Sequence, residues 1–133
     1  MRVKLSTDMG SVTIDNVDEV VDGLPLHLVK GNVHTLTASV LNDDGTAANI
    51  STKTGVLFIS GKALASDSSY KFNYSGANIT EDNLAGGVFS KVLATTDLDD
   101  MYVDFIVEVG YLSSSNPVTY GVFHVKVIRG TRN

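Results

Sequence analysis

The sequence predicts an all-β protein folded as an antiparallel β-sandwich of about seven or eight strands. The strongest indication is the alternation of apolar and polar residues in two long runs near the C terminus, residues 102–109 and 118–128. Successive side chains of a strand point to opposite faces, so a period of two residues indicates a strand. Turn-forming residues separate further short runs at the spacing typical of a sandwich, and the sequence shows no long run with the period of a helix.

The remaining strands are predicted from short apolar or alternating runs that end near Gly, Asn or Asp. These runs are residues 26–29, 34–41, 56–59, 70–74 and 88–93, and residues 3–5 and 11–14 are candidates for two short strands before them. Turn signals at residues 30–32 and 42–45 separate some of them, because Gly accepts positive φ and Asn and Asp favour turns. Residues 95–100 predict a single helical turn, since Thr and Asp side chains accept hydrogen bonds from free backbone N–H groups.

Length, charge and cysteine content limit the possible functions. The 133 residues fit one domain, and the formal net charge is −5 with scattered basic residues. A nucleic-acid binder uses clustered Lys and Arg against phosphates, so we expect no nucleic-acid partner. The lack of cysteine excludes disulfides and thiolate metal sites and fits synthesis in a reducing cytoplasm. No apolar run approaches the ~20 residues of a membrane span and no secretory h-region follows the start, so we expect no membrane partner.

The first residues differ from the rest of the chain, and we divide it into an N-terminal arm or strand pair, residues 1–24, and a β-sandwich domain, residues 25–133. Two short strand-like runs in the first segment precede an acidic stretch that contains Asp15, Asp18, Glu19 and Asp22. We favour a strand pair followed by a solvated loop. The alternative is an arm that adds a strand to a neighbouring subunit, because free strand edges are templates for such addition.

The histidines are weak candidates for a metal site. His27, His34 and His124 lie on three separate predicted strands, and no spacing between them prearranges zinc ligands. We therefore interpret them as half-exposed strand residues, with His34 and His124 in outward registers, and we expect no metal and no cofactor.

The acidic residues are also weak candidates for chemistry. Asp97, Asp99 and Asp100 offer carboxylates to calcium, but their order is not that of an EF-hand, and an acidic loop at a helix start is the simpler interpretation. Asp104 and Glu108 share one strand face, and a small hydrolase built on this pair stays open as a third class of function. A charged row beside an apolar row is nevertheless typical of a half-buried strand. The sequence carries no nucleophile elbow and no nucleotide-binding loop, so we expect no enzyme.

The last predicted strand carries a semi-apolar strip on the face opposite Phe123. Exposed apolar strips tend to mark contact sites, and Tyr is a favoured anchor at interfaces. The alternative is that the N-terminal segment of the same chain covers this strip. The predicted interface residues are Val3, Leu5, Val12 and Ile14 in the arm and Val118, Tyr120, Val122 and His124 in the last strand.

A likeness to a known family rests on the order of segments between residues 26 and 127. These are residues 28–32, 35–40, 42–46, 48–51, 56–59, 87–89, 95–97, 102–109 and 119–125. Their order resembles the immunoglobulin-like N-terminal module of tailed-phage baseplate upper proteins and related phage virion structural proteins. In those proteins a stalk or receptor-binding region follows the module, whereas this sequence ends at Asn133, so we expect a small stand-alone component.

The resemblance implies an immunoglobulin-like sandwich and a non-enzymatic role in a virion, with no catalytic residues to carry over. The expected function is that of a capsid decoration or cement protein, or of a tail or baseplate component, assembled in the host cytoplasm. Its partners would be other virion proteins and itself, as a homo-oligomer for which a trimer is a guess from virion architecture. The alternative is a carbohydrate-binding or adhesion module in which aromatic rings stack on sugars, namely Tyr70, Phe72, Tyr74 and Tyr120.

Overall fold

The computed structural model describes residues 2–14, 26–51, 56–63, 70–98 and 104–129. These residues form ten strands and two short 3-10 helices. The strands lie in two five-stranded sheets that pack face to face. The predicted all-β sandwich is therefore confirmed, with more strands than the sequence indicated.

The ten strands are numbered in chain order, which differs from the order in which they lie side by side in the sheets. They are β1 (Arg2–Thr7), β2 (Gly10–Ile14), β3 (Leu26–Lys30), β4 (His34–Leu41), β5 (Val56–Lys62), β6 (Phe72–Ser75), β7 (Thr80–Asn83), β8 (Val88–Leu93), β9 (Asp104–Ser113) and β10 (Asn116–Arg129). The first sheet has the order β2-β1-β4-β8-β7, and the second has the order β3-β10-β9-β5-β6. The 3-10 helices are Gly76–Asn78 and Thr95–Leu98, and the second coincides with the predicted helical turn.

One strand pair departs from the predicted antiparallel arrangement. β3 runs parallel to β10, with Leu26 opposite Val125 and Leu28 opposite Val127. The other strand pairs in the described residues are antiparallel. Tight hairpins require antiparallel neighbours, but β3 and β10 are distant in the chain and are free of that constraint.

The core lies between the two sheets and consists of alternate residues of the strands. The largest side chains buried there are Phe89, Phe105 and Phe123, which come from β8, β9 and β10. The ring of Phe72 meets that of Phe105 edge-on, with ring centroids 6.1 Å apart. The period of two residues that predicted these strands therefore also identifies the side of each strand that faces the core.

The N-terminal segment, as far as it is described, is part of this sandwich. β1 pairs with β2 on one side and with β4 of the same chain on the other. Val3, Leu5 and Ile14, which we expected at a subunit interface, are buried in the core, because β1 occupies an interior position of the first sheet. Val12 packs partly buried against the same core. The acidic stretch that begins at residue 15 lies outside the described residues.

A β-bulge in β10 changes which of its residues face the core. Thr119 lies opposite Gly110 and Gly121 lies opposite Val109, so Tyr120 is an extra residue in β10. A bulge of this kind shifts the alternation by one position. Tyr120 is therefore buried, although the sequence placed it on the same face as Val122.

Two tyrosine hydroxyl groups near the core differ in their hydrogen bonding. The Tyr120 hydroxyl is buried without a hydrogen-bond partner among the described residues, and burial, with a smaller contribution from Tyr111, raises its pKa to about 12. The Tyr74 hydroxyl donates to the Asp97 carboxylate at 2.7 Å. Burial and this bond raise the pKa of Tyr74 to about 12 as well. A buried hydroxyl without a partner costs stability, whereas a bonded one contributes to it.

We expect Tyr120→Phe to raise the free energy of unfolding by about 1 kcal/mol, because it removes a buried group that gains no bond on folding. Tyr74→Phe is the matched control and should lower it by about 1.5 kcal/mol, since the bond to a carboxylate is lost. Urea denaturation of the three proteins measures both effects. A Tyr120→Phe protein that is less stable than the wild type contradicts the burial of an unsatisfied hydroxyl.

Candidate functional site

The exposed side of the second sheet carries the best candidate for a functional surface. Outward side chains of β5, β9 and β10 form two rows across three adjacent strands, and we call this surface the outer face. The first row is Ser60, Glu108 and Val122, and the second is Lys62, Ile106 and His124.

The two rows enclose a shallow pocket of about 90 Å³. Its walls are Ser60, Lys62, Ile106, Glu108 and Val122. Pockets for drug-sized ligands measure roughly 300–1,000 Å³, so this one has room for a single side chain or a similarly small group. Ser60 is buried, and the other four residues are partly buried.

The charged groups of the outer face are held in place by their neighbours. The Thr119 hydroxyl donates a hydrogen bond to the Glu108 carboxylate. The Lys62 ammonium lies 4.5 Å from the centre of the Tyr70 ring, a cation–π contact. A fixed carboxylate and a fixed ammonium therefore flank the apolar side chains of Ile106 and Val122 in the pocket wall.

The predicted interface strip on β10 is only partly present on this surface. Val122 and His124 lie on the outer face, next to strand β9. Val118 is 39% exposed but precedes the bulge and lies opposite Tyr111, which packs against the core. Tyr120 is a core residue for the same reason, so the strip predicted from the sequence is divided between the two sides of the sheet.

Sequence reasoning identified Glu108 as an outward residue but missed Ser60, Lys62 and Ile106, which complete the outer face. Ile106 alternates with the buried Phe105 and Val107, so its outward position follows from the same period that predicted β9. Ser60 and Lys62 extend β5 beyond its predicted end at Ile59. Nothing local in the sequence shows that β5 lies beside β9, and this pairing brings the two rows together.

His34 has a different environment from the one predicted. Its side chain is fully buried, because it has the same parity as Leu36 and Ala38 and so faces inward. The Nδ1–H group donates to Asp8 Oδ1 at 2.8 Å, and Nε2 accepts the Val29 N–H at 2.9 Å. These bonds correspond to the neutral imidazole with its proton on Nδ1.

The candidate metal and catalytic residues do not assemble into a site within the described residues. No group of three or more His, Asp or Glu side chains there has the arrangement of a metal site. The Asp97 carboxylate accepts the Ala94 N–H at 2.8 Å, in addition to the Tyr74 hydroxyl, so protein donors already occupy its oxygens. Asp99 and Asp100 lie outside the described residues, and so does the side chain of Asp104, which the hydrolase hypothesis needs beside Glu108.

The four aromatic residues proposed for sugar stacking are mostly unavailable. Phe72 and Tyr120 are buried. Tyr74 is partly buried, with the Lys91 ammonium 4.2 Å from the centre of its ring. Tyr70 is 48% exposed and lies beside Lys62 of the outer face. Among these four residues, only Tyr70 presents an exposed ring to a ligand.

Comparison with known proteins does not identify a family. No protein-family model matches this chain, and no curated protein sequence matches it. No helix in the described residues is long and apolar enough to cross a membrane. The function therefore has to be argued from the surfaces of the sandwich.

The contribution of the bond between Asp8 and His34 to stability should depend on pH. This bond holds the pKa of the Asp8 carboxyl below its usual range. A lowered pKa in the folded state stabilises the protein above the carboxyl's ordinary pKa of about 3.9, and this contribution disappears as the pH falls through the folded-state value. We expect Asp8→Asn to lower the melting temperature at pH 7, by an amount that shrinks as the pH falls below the carboxyl's ordinary pKa.

Thermal unfolding of the wild type and the Asp8→Asn protein across this range is the measurement. Asp82→Asn is the control, since Asp82 lies exposed on β7 and the substitution changes the net charge equally. Equal losses for the two variants at pH 7 would show that the effect is one of overall charge rather than of the bond to His34.

Proposed function

We propose that this protein is a non-enzymatic structural subunit of a phage virion that acts through contacts with other subunits. It would serve as a capsid decoration or cement protein, or as a tail or baseplate component. The observation that carries the proposal is the outer face, a pocketed and partly apolar surface in the middle of a sheet. The virion context comes from the resemblance of residues 26–127 to phage structural modules.

The outer face is not needed to complete the core of the chain. The core cluster lies between the sheets and draws on the opposite side of β9 and β10. Ile106 and Val122 nevertheless remain partly exposed on two interior strands of the second sheet. Apolar side chains at the centre of an exposed surface, surrounded by polar ones, are typical of a contact site.

The polar residues of the outer face would fix the orientation of a bound partner. Lys62 and Glu108 provide opposite charges on adjacent strands, and each is already oriented by a neighbour. Groups fixed before binding lose little conformational freedom when a partner docks. The pocket between them has the size for one anchoring side chain of the partner, the type of contact that dominates binding energy at interfaces.

The second candidate function is that of a carbohydrate-binding module. It is favoured by Tyr70, whose half-exposed ring lies against Lys62 beside a pocket that also offers the Glu108 carboxylate and the Ser60 hydroxyl. A glycan array separates the two functions, because selective binding that is lost in Tyr70→Ala would favour the sugar-binding function and contradict a purely structural role.

The test of the structural function is the double variant Ile106→Arg/Val122→Arg. Two bulky charges in the pocket wall should weaken self-association, or co-sedimentation with phage particles, at least tenfold, because they leave charge unpaired in a desolvated contact. Light scattering and particle sedimentation measure the two forms of association. Deletion of residues 1–24 is unsuitable as a test, since it removes an interior strand of the first sheet.

The matched control is a double variant with the same added charge on the first sheet, Thr35→Arg/Val92→Arg. Thr35 and Val92 lie opposite each other on β4 and β8 and are both exposed. Normal association of the control, together with weakened association of the outer-face variant, supports the proposal. Equal behaviour of both folded variants would exclude the outer face as the contact surface.

A further inference from the structure

A hydroxyl group in the pocket of the outer face has no partner in the protein. Ser60 is only 4% exposed and lines this pocket. Its hydroxyl forms no hydrogen bond within the residues that the structure describes. Polar side chains that are this deeply buried normally have a hydrogen-bond partner. A buried, unbonded hydroxyl in the wall of a pocket therefore points to a ligand that bonds it there.

A carboxylate lies directly opposite this hydroxyl on the adjacent strand. Ser60 of β5 pairs with Glu108 of β9, and paired residues of antiparallel strands have Cβ atoms about 4.5–5.5 Å apart. Glu108 Oε2 accepts the Thr119 hydroxyl, whereas Oε1 has no hydrogen bond or ion pair within the described part of the chain. Two available acceptors, the second carboxylate oxygen and the serine hydroxyl, thus lie side by side in one pocket.

The nearby ammonium does not neutralise this carboxylate. Lys62 lines the same pocket, but its Nζ lies over the Tyr70 ring, 4.5 Å from the ring centre. No ion pair joins Lys62 to Glu108 among the described residues. The whole chain also carries a formal net charge of −5, so its overall field attracts cations. Charge complementarity therefore favours a cationic group beside Glu108.

We infer that the pocket of the outer face binds an arginine side chain of a partner protein, whose guanidinium is bonded by Glu108 and Ser60. The inference rests on the proposed function, since it names the chemistry of the partner residue that docks at this face. Two N–H groups of the guanidinium donate to Glu108 Oε1 and to the Ser60 hydroxyl oxygen. The bond from Thr119 to Oε2 stays in place and keeps the carboxylate oriented.

The walls of the pocket suit the rest of an arginine side chain. Ile106 and Val122 line it with apolar surface, and the methylene stem of arginine packs on such surface while its charged head bonds polar groups. The planar guanidinium has N–H groups in a fixed fork, which suits two acceptors on adjacent strands better than the point charge of a lysine. The volume of about 90 Å³ has room for one such side chain.

A small arginine derivative should bind the pocket without the rest of the partner. The probe is N-acetyl-L-arginine amide, titrated into the full chain at low salt and followed by heteronuclear NMR. We expect dissociation in the millimolar range, because so small a ligand makes few contacts, and the largest shifts at Ser60, Glu108 and Val122. N-acetyl-L-citrulline amide has the same shape without the charge and should bind at least about tenfold more weakly. Equal binding of the two probes overturns the inference.

Two charge substitutions should change the binding of the arginine probe in opposite directions. Glu108→Gln removes the carboxylate and should weaken binding at least about tenfold, and Ser60→Ala should weaken it roughly threefold. Lys62→Gln removes a repelling charge and should strengthen binding about twofold, since partly exposed charges are screened. The control is Glu81→Gln, an equal change in net charge at an exposed residue of β7, which should have no effect.

The reversed pattern would refute the inference. Weaker binding in Lys62→Gln, with no change in Glu108→Gln, would assign an anionic ligand to the pocket. Loss of binding in Glu81→Gln as well as in Glu108→Gln would show that only the overall charge attracts the probe. Circular dichroism of each variant confirms that the sandwich is folded.

Failure of this inference is distinguishable from failure of the proposed function. If Ile106→Arg/Val122→Arg weakens association but the wild type does not bind the arginine probe, the outer face is a contact surface and the arginine inference is wrong. If the wild type binds the probe in the predicted pattern but the double variant associates normally, the arginine site stands and the proposed subunit contact is wrong.

Discussion

The packing of the two sheets through one layer of alternate side chains is the constraint on which the rest of this structure depends. Phe89, Phe105 and Phe123 are buried between the sheets, and each buried aromatic side chain contributes roughly 1.5–3 kcal/mol by leaving water. Because strand side chains alternate, fixing these residues inside fixes their neighbours outside. Ile106 and Val122 reach the surface as a consequence of where Phe105 and Phe123 are buried.

Alternation in the sequence was sufficient to predict most strands and the core side of β4 and β9. It did not predict β7, because all four residues of Thr80–Asn83 are exposed and the segment forms a strand through its pairing with β8. It also did not reveal the bulge, since Tyr120 and Val122 are both compatible with a buried or an exposed position. Local sequence carries no information on an extra residue that appears only when two strands are aligned.

The candidate site was harder to predict than the fold because it depends on contacts between distant segments. Glu108 and Val122 were visible as outward residues of their own strands, but Lys62 joins them only through the pairing of β5 with β9. His34 illustrates the same limit. Its polar character indicated an outward position, whereas its buried nitrogens are satisfied by Asp8, 26 residues away, and by the backbone of Val29. Buried polar groups are normally hydrogen-bonded, but the sequence does not show by which partner.

The extra residue in β10 has a consequence for how this strand tolerates substitution. Tyr120 and Gly121 are buried next to each other, and burial then continues at every second residue through Phe123, Val125 and Val127. A scan of single substitutions along β10 should therefore find two adjacent sensitive positions at the bulge and, after them, sensitivity at every second residue. The extra residue marks the position in β10 at which the alternation of core-facing side chains shifts by one residue.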